Sequence, residues 1–352
     1  MSSELAELWI WFADNVGRGY SPIYDRVART VAKNDEVLAL VGEAPPAARV
    51  PNVLLAAVHY LLLGSLDHPL AAVYSGTSDA DPGPLFLDVC LSHRAEILEL
   101  LATRHTNTNE VGRSATIGLA LNAVAERLGS PLSYVDVGCS AGVNLLCDRY
   151  RLDYGSSGAI GPPDPAITVQ CAVIGGTPPI APALPPIVER VGIDLDPVDL
   201  TDPDQVRWQL ALVFPDTDRL ARTRRALAEV ALTPPRIVQG DAVDTISGVL
   251  RDLPADSVAV VTTTWAAAYF PFPRRVEFRE RIAEVSRTRP VAWVSAEGPG
   301  VVDLFAEIDA PLDENSTQAS VLGLARFENG ETSTELLGFV HPHGNWIDWR
   351  AS

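Results

Sequence analysis

The chain has 352 residues, 47% hydrophobic and 20% charged, enough for one large domain or a core domain with an accessory one. Its 27 Lys and Arg against 45 Asp and Glu give a net charge of -18, which works against nonspecific attraction to nucleic acid or anionic membranes and favours small-molecule chemistry. No apolar run approaches the ~20 residues of a membrane span, and Cys90, Cys139, Cys147 and Cys171 lack paired zinc-type spacing, so they read as free thiols of a reducing compartment.

Met1 to Trp11 carries Glu4 and Glu7 and lacks both a basic leader region and a small-residue cleavage site, so a cytoplasmic protein is expected. Residues 1–130 read as a helical N-terminal cap region. Leu5 to Val16, Pro22 to Asn34 and Asp35 to Val41 suit short amphipathic helices, with Ser21 before Pro22 as a cap and first helical residue. Val53 to Gly64 is apolar almost all round, which predicts a buried helix with His59 as a satisfied core histidine, and His68-Pro69 marks a turn. A helix over Phe86 to Thr103 and another over Gly112 to Leu128 flank the polar loop Thr106-Asn107-Thr108-Asn109-Glu110, in which Asn109 would serve as a helix cap.

From Leu132 the pattern changes to short apolar strands separated by helices, which predicts a mainly parallel sheet in residues 131–352. The expected strands are Ser133 to Val137, Arg190 to Leu195, Arg236 to Gln239, Val258 to Thr262 and Val291 to Ser295. Helices are expected over Val143 to Tyr150, Asp202 to Val213, Asp216 to Ala231, Asp244 to Leu253 and Arg274 to Ser286. A Pro- and Gly-rich insertion spans about 151–187, with one strand, Thr168 to Ile174, inside it. Ser320 to Phe327 and Thr332 to Val340 around Asn329-Gly330 predict a C-terminal antiparallel hairpin.

The run Val135-Asp136-Val137-Gly138-Cys139-Ser140-Ala141-Gly142 is the centre of the functional reading. A buried strand, a small-residue turn and a helix start let a ligand approach the backbone, with unpaired N–H groups and a positive dipole end beyond it. Ligands of open α/β sheets bind outside the carboxyl ends of the strands. There the second strand ends in Asp194-Leu195-Asp196, the third leads to Gly240-Asp241-Ala242, and the fourth to Thr264-Trp265.

On these residues the segment from Leu132 to Trp349 resembles the class I S-adenosylmethionine-dependent methyltransferases, and the whole chain resembles an uncharacterised bacterial family that implies no particular substrate. The first resemblance implies an α/β, Rossmann-like sheet with an N-terminal helical cap. It implies S-adenosylmethionine bound by Asp136, Gly138, Ser140, Gly142, Asn144, Asp194, Asp241, Ala242, Thr264 and Arg113, with Asp194 on the ribose hydroxyls and Asp241 near the adenine amine. Trp265 and Tyr269 would meet a small-molecule acceptor, while no metal, nucleic acid or membrane partner is expected. Arg113 is the natural partner for the cofactor carboxylate.

Two alternatives stay open. Gly138-Cys139-Ser140-Ala141-Gly142 also matches the G-x-S-x-G elbow of serine hydrolases, with Ser140 as nucleophile, Asp241 or Asp303 as acid and His341 or His343 as base. A fold that binds S-adenosylmethionine without catalysing anything is the other. Against the elbow stand the helical character of the region before Val135 and the absence of an oxyanion segment of His-Gly-Gly-Gly type.

Overall fold

The computed structural model describes residues 2–18, 20–107, 110–313 and 318–352; Thr108 and Asn109, the latter expected as a cap, lie outside the described residues. Contacts divide the chain into two compact units. One gathers residues 2–107 and Asp199–Arg224, the other residues 110–198, 225–313 and 318–352. The helix Arg113–Leu128 therefore goes with the sheet, whereas the expected boundary at 130/131 assigned it to the helical region.

The first unit is helical because its apolar residues recur at helical spacing and its helix starts are capped. Ser21 accepts the Tyr24 N–H with Pro22 as first residue of Pro22–Val31, Asn34 accepts the Val37 N–H, and Asp81 accepts the Gly83 N–H. His68-Pro69 does more than turn: Nδ1 of His68 accepts the Leu70 N–H and starts the helix Pro69–Tyr74. The helix expected over Phe86 to Thr103 is two, Pro82–Ser92 and Arg94–Thr103, because His93 leaves the helical region at φ -114 and ψ 34. Pro51–Leu63 is buried nearly all round among Trp9, Phe12, Val27 and Trp208.

Among the described residues the second unit has twelve strands: β1 Leu132–Val137, β2 Arg151–Asp153, β3 Ala159–Ile160, β4 Thr168–Gln170, β5 Ala172–Gly175, β6 Ile187–Asp194, β7 Arg236–Gln239, β8 Val258–Thr264, β9 Val291–Glu297, β10 Ser320–Glu328, β11 Glu331–Val340 and β12 Trp346–Trp349. Nine form a mixed sheet in the order β5-β12-β11-β10-β9-β8-β1-β6-β7. The pairings from β9 through β8, β1 and β6 to β7 are parallel, and β9, β10, β11 and β12 pair antiparallel in turn. The chain leaves β1 first to one side, through β6 and β7, and then to the other, through β8 and β9. The strand order therefore reverses between β1 and β8, where open α/β sheets carry a crevice.

Alternation along the strands divides the two faces. Val135, Val137, Ile193, Val261 and Trp293 form one core with the helices Ala242–Asp252 and Phe272–Val285. Tyr134, Asp136 and Thr262 point to the other face, and Arg113–Leu128, whose residues stand outside that core, packs along β8. Asn329 and Gly330 both have positive φ, 53 and 82, the backbone of a type I′ hairpin turn between β10 and β11.

The insertion is not a single looped-out segment with one strand. The expected strand Thr168 to Ile174 breaks at Cys171 into β4 and β5, which join different sheets: β4 pairs with β2 in a small sheet, and β5 extends the large one beside β12. Val143–Arg149 is a tight 3-10 segment broken at Leu146, whose φ of -103 and ψ of 19 are not helical, rather than an α-helix. Its peptide dipoles do not align over several turns, so the positive helix end expected there is weak. Among the described residues no helix is long and apolar enough to cross a membrane.

His59 makes this fold sensitive to acid. It is 2% exposed, donates from Nδ1 to the Ala211 carbonyl at 3.1 Å, and burial pushes its pKa down from 6.5 to about 4. The unfolded chain therefore takes up a proton that the folded one refuses as pH falls below 6.5. Denaturant titrations of His59→Gln and the parent protein should show the parent losing on the order of 3 kcal/mol more stability between pH 7 and pH 4.

Candidate functional site

The turn after β1 is made of residues that the sheet cannot hold by itself. Gly138, Ser140 and Gly142 have positive φ of 74, 52 and 80, a region open to glycine and strained for serine. Their N–H groups find partners beyond the β1 ladder: Gly138 N–H donates to the Ile193 carbonyl at 2.8 Å, and Ser140 N–H donates to Oδ2 of Asp194 at 2.7 Å. The other oxygen of Asp194 accepts the Asp196 N–H at 2.9 Å, and the Asp194 carbonyl accepts the Gly240 N–H at 2.8 Å. One acid at the end of β6 thus joins the carboxyl ends of β1, β6 and β7.

The glycines are explained by packing inside the protein. A Cβ on Gly138 would lie 2.7 Å from Cβ of Ala266, and one on Gly142 would lie 3.0 Å from Cγ of Pro235. Both positions therefore require glycine for close packing within the protein. Gly192, which sequence reasoning passed over, lacks space for a Cβ against Sγ of Cys139 and lets the turn settle onto β6.

Around this turn other expected residues are bonded to the protein. Asp136 is 1% exposed and accepts the hydroxyl of its lateral neighbour Thr262 at 2.7 Å. Buried Asn144 accepts the Ser114 hydroxyl at 2.7 Å and donates to the Glu110 carbonyl at 3.3 Å, tying the turn to the start of Arg113–Leu128. Arg113, expected to meet a ligand carboxylate, donates from Nη1 to the Thr264 carbonyl at 2.7 Å and from Nε to the Pro342 carbonyl at 2.9 Å. It clamps the end of β8 to the loop that carries His341 and His343.

Asp241 is the cap of Ala242–Asp252: Oδ1 accepts the Val243 N–H at 2.8 Å and pairs with Arg274 at 2.9 Å, with the side chain 44% exposed. Ala242 turns into the hydrophobic core. Trp265 and Tyr269 separate. Trp265 holds a positive φ of 58 and donates its indole N–H to the Ser320 hydroxyl at 2.8 Å, whereas Tyr269 is 78% exposed.

Ser140 does not meet the demand of a nucleophile elbow. The elbow presents its hydroxyl at the top of the sheet, and Ser140 is fully buried. Of its proposed partners, Asp303 pairs with Arg279, Asp241 is a helix cap, and Nδ1 of His341 accepts the His343 N–H within the same loop.

A carboxylate missed in the sequence closes β9. Glu297 is 1% exposed, and its Oε1 accepts the N–H groups of Ala266 and Ala267, both at 3.0 Å. These bonds brace the turn made strained by Trp265, where a bulky residue at positive φ costs of order 1–3 kcal/mol. Burial raises the Glu297 pKa above its ordinary 4.5, against the opposing pull of the bonded N–H groups and the nearby Arg113. The available signal was an acid ending the otherwise apolar run Val291-Ala292-Trp293-Val294-Ser295-Ala296.

The chain belongs to a family described as uncharacterised protein conserved in bacteria (DUF2332), whose profile matches residues 6–349. No curated protein matches it.

A carboxyl raised in the folded state keeps its full stabilising contribution below 4.5 and loses it as pH rises through the folded value. Substituting Glu297→Gln should make stability fall less steeply with pH above 4.5 than in the parent, by up to about 1.4 kcal/mol per pH unit in that window. Urea titrations from pH 4.5 to pH 8 measure the difference, and parallel curves would remove the buried acid from this role.

Proposed function

We propose that the chain binds S-adenosylmethionine across the carboxyl ends of β1, β6 and β8 and transfers its methyl group to a small-molecule acceptor. The observation that carries this reading is the union of Asp194 with the Gly138–Gly142 turn beside the point where the strand order reverses. Counted in chain order, the five parallel strands run 3-2-1-4-5 across the sheet, the start of the order in dinucleotide-binding sheets. These features favour a class I, Rossmann-like methyltransferase fold as the finer description.

The donor set suits the cofactor in part. Each oxygen of Asp194 accepts one N–H and retains lone-pair capacity for a ribose hydroxyl. Next to it Leu195 is 69% exposed, an apolar surface for the face of an adenine ring. Asp241 remains reachable for the adenine amine, through a carboxylate already shared with Val243 and Arg274. Gly138 and Gly142 shape the turn rather than a cavity, so the methionine end would rest on their surroundings, with Thr264, Arg113 and Trp265 across the crevice.

When bound, the cofactor supplies a methyl group already activated on sulfur. The protein's part is then alignment and exclusion of water, for which clamped loops suit better than mobile ones. Arg113, Asn144 and Asp194 supply that clamping by joining the loops before Arg113–Leu128 and after β1, β6 and β8. The net charge of -18 supports a small acceptor over nucleic acid.

Calorimetry with S-adenosylmethionine and S-adenosylhomocysteine tests the reading. Both should bind, and Asp194→Ala should weaken binding by about tenfold or more through loss of the ribose contacts. Absence of heat from folded protein with either compound at millimolar concentration would overturn it. Binding without turnover over a panel of small acceptors would keep the cofactor and remove the transferase activity.

A further inference from the structure

The carboxyl end of β9 holds an ionisable group that the proposed methyl transfer does not use, and a strained turn is hung on it. Oε1 of Glu297 accepts the N–H groups of Ala266 and Ala267, while Oε2 is enclosed and accepts no hydrogen bond from the protein. The gap beside it, among Ser295, Gly298, Val302, Phe305 and Val321, is too narrow for a water molecule. Neither water nor a protein donor meets Oε2 while residues 265–270 stay folded onto the carboxyl.

Two N–H groups occupy the lone pairs of Oε1, so a proton on this carboxyl sits on Oε2. One enclosed hydroxyl costs far less than an enclosed charge. The turn itself begins at Trp265, whose φ of 58 disfavours the folded form. Its other staple is insensitive to pH: Arg275 donates to the carbonyls of Ala268 at 2.9 Å, Phe270 at 2.8 Å and Val301 at 3.2 Å.

We propose that residues 265–270 form a proton-linked latch, shut while Glu297 carries its proton and opened when that proton passes to solvent. Opening brings water to Oε2, hydrates the charge and relieves the backbone at Trp265. The groups around the acid leave this sense unchanged. From Arg113–Leu128 the Arg113 guanidinium pulls toward ionisation, as does the Ala268 N–H more weakly, and burial outweighs both. On β8 and β10 the neighbours are the uncharged Thr264 and Val321. Asp303, beyond β9, is paired with Arg279 of Phe272–Val285, and Arg275 of the same helix faces carbonyls. S-adenosylmethionine binding is not a premise of the latch.

The sign follows from linkage. The closed turn holds the proton more tightly than an open one, so closure is fully favoured below 4.5 and weakens as pH rises through the raised value. Hydrogen exchange of the Ala266 and Ala267 amides in the full-length protein, corrected for intrinsic rates from pH 4.5 to pH 8, reads the opening. Protection of both should fall with rising pH, by up to about tenfold per unit. At every pH both should be at least about tenfold less protected than Val260 and Val261 within β8, as local opening requires. In Glu297→Gln their protection should be flat over the same range. Protection that is flat in the parent, that equals the Val260 and Val261 values, or that falls equally in Glu297→Gln would overturn the proposal. The first two outcomes are read on the parent protein and stand whether or not the variant folds.

Discussion

Two backbone N–H groups, those of Ser140 and Asp196, converge on the carboxylate of Asp194, and the carboxyl edge of the sheet is organised around that convergence. The turn after β1 needs it because positive φ at Gly138, Ser140 and Gly142 takes the backbone out of ladder geometry at the end of a strand that is buried throughout. Buried N–H groups must then be met by something other than a neighbouring strand. A side chain fixed at the end of β6 can do so, since β1 and β6 are in parallel register up to Val137 opposite Ile193. The carbonyl of the same residue receives the Gly240 N–H, which carries the arrangement on to β7.

Glu297 repeats the device on the other side of the reversal point. It too closes a parallel strand, and it too gathers backbone N–H groups from the turn after its neighbour, β8. The two acids differ in what they leave over. Asp194 spends one N–H on each oxygen, whereas Glu297 spends two on one and leaves the other enclosed. That difference separates an acid that holds a loop from one that holds a loop and retains a buried, unmatched oxygen.

The periodic features were legible from the residues alone. Strand positions β1, β6, β7, β8 and β9 follow from short apolar runs, the hairpin follows from Asn329-Gly330, and the cap at Ser21 follows from local chemistry. The turn and Asp194 were also legible as neighbours, since both lie at strand ends. Less legible were features that depend on a partner distant in sequence. The break at His93, the split of Thr168 to Ile174 between two sheets and the 3-10 form of Val143–Arg149 each arise where tertiary packing overrides local preference.

For this protein the sequence by itself determined the class of fold and which acids and glycines stand at the ends of the strands, because side-chain period and turn chemistry are local. Only the tertiary structure decided what those residues touch. Gly138 and Gly142 are small against Ala266 and Pro235, Arg113 holds carbonyls, Ser140 is enclosed, and Glu297 becomes a buried acid with one unmatched oxygen. The physical reason is that burial and hydrogen-bond satisfaction belong to pairs of atoms brought together by the sheet. Neither quantity exists until strands far apart in the chain lie side by side.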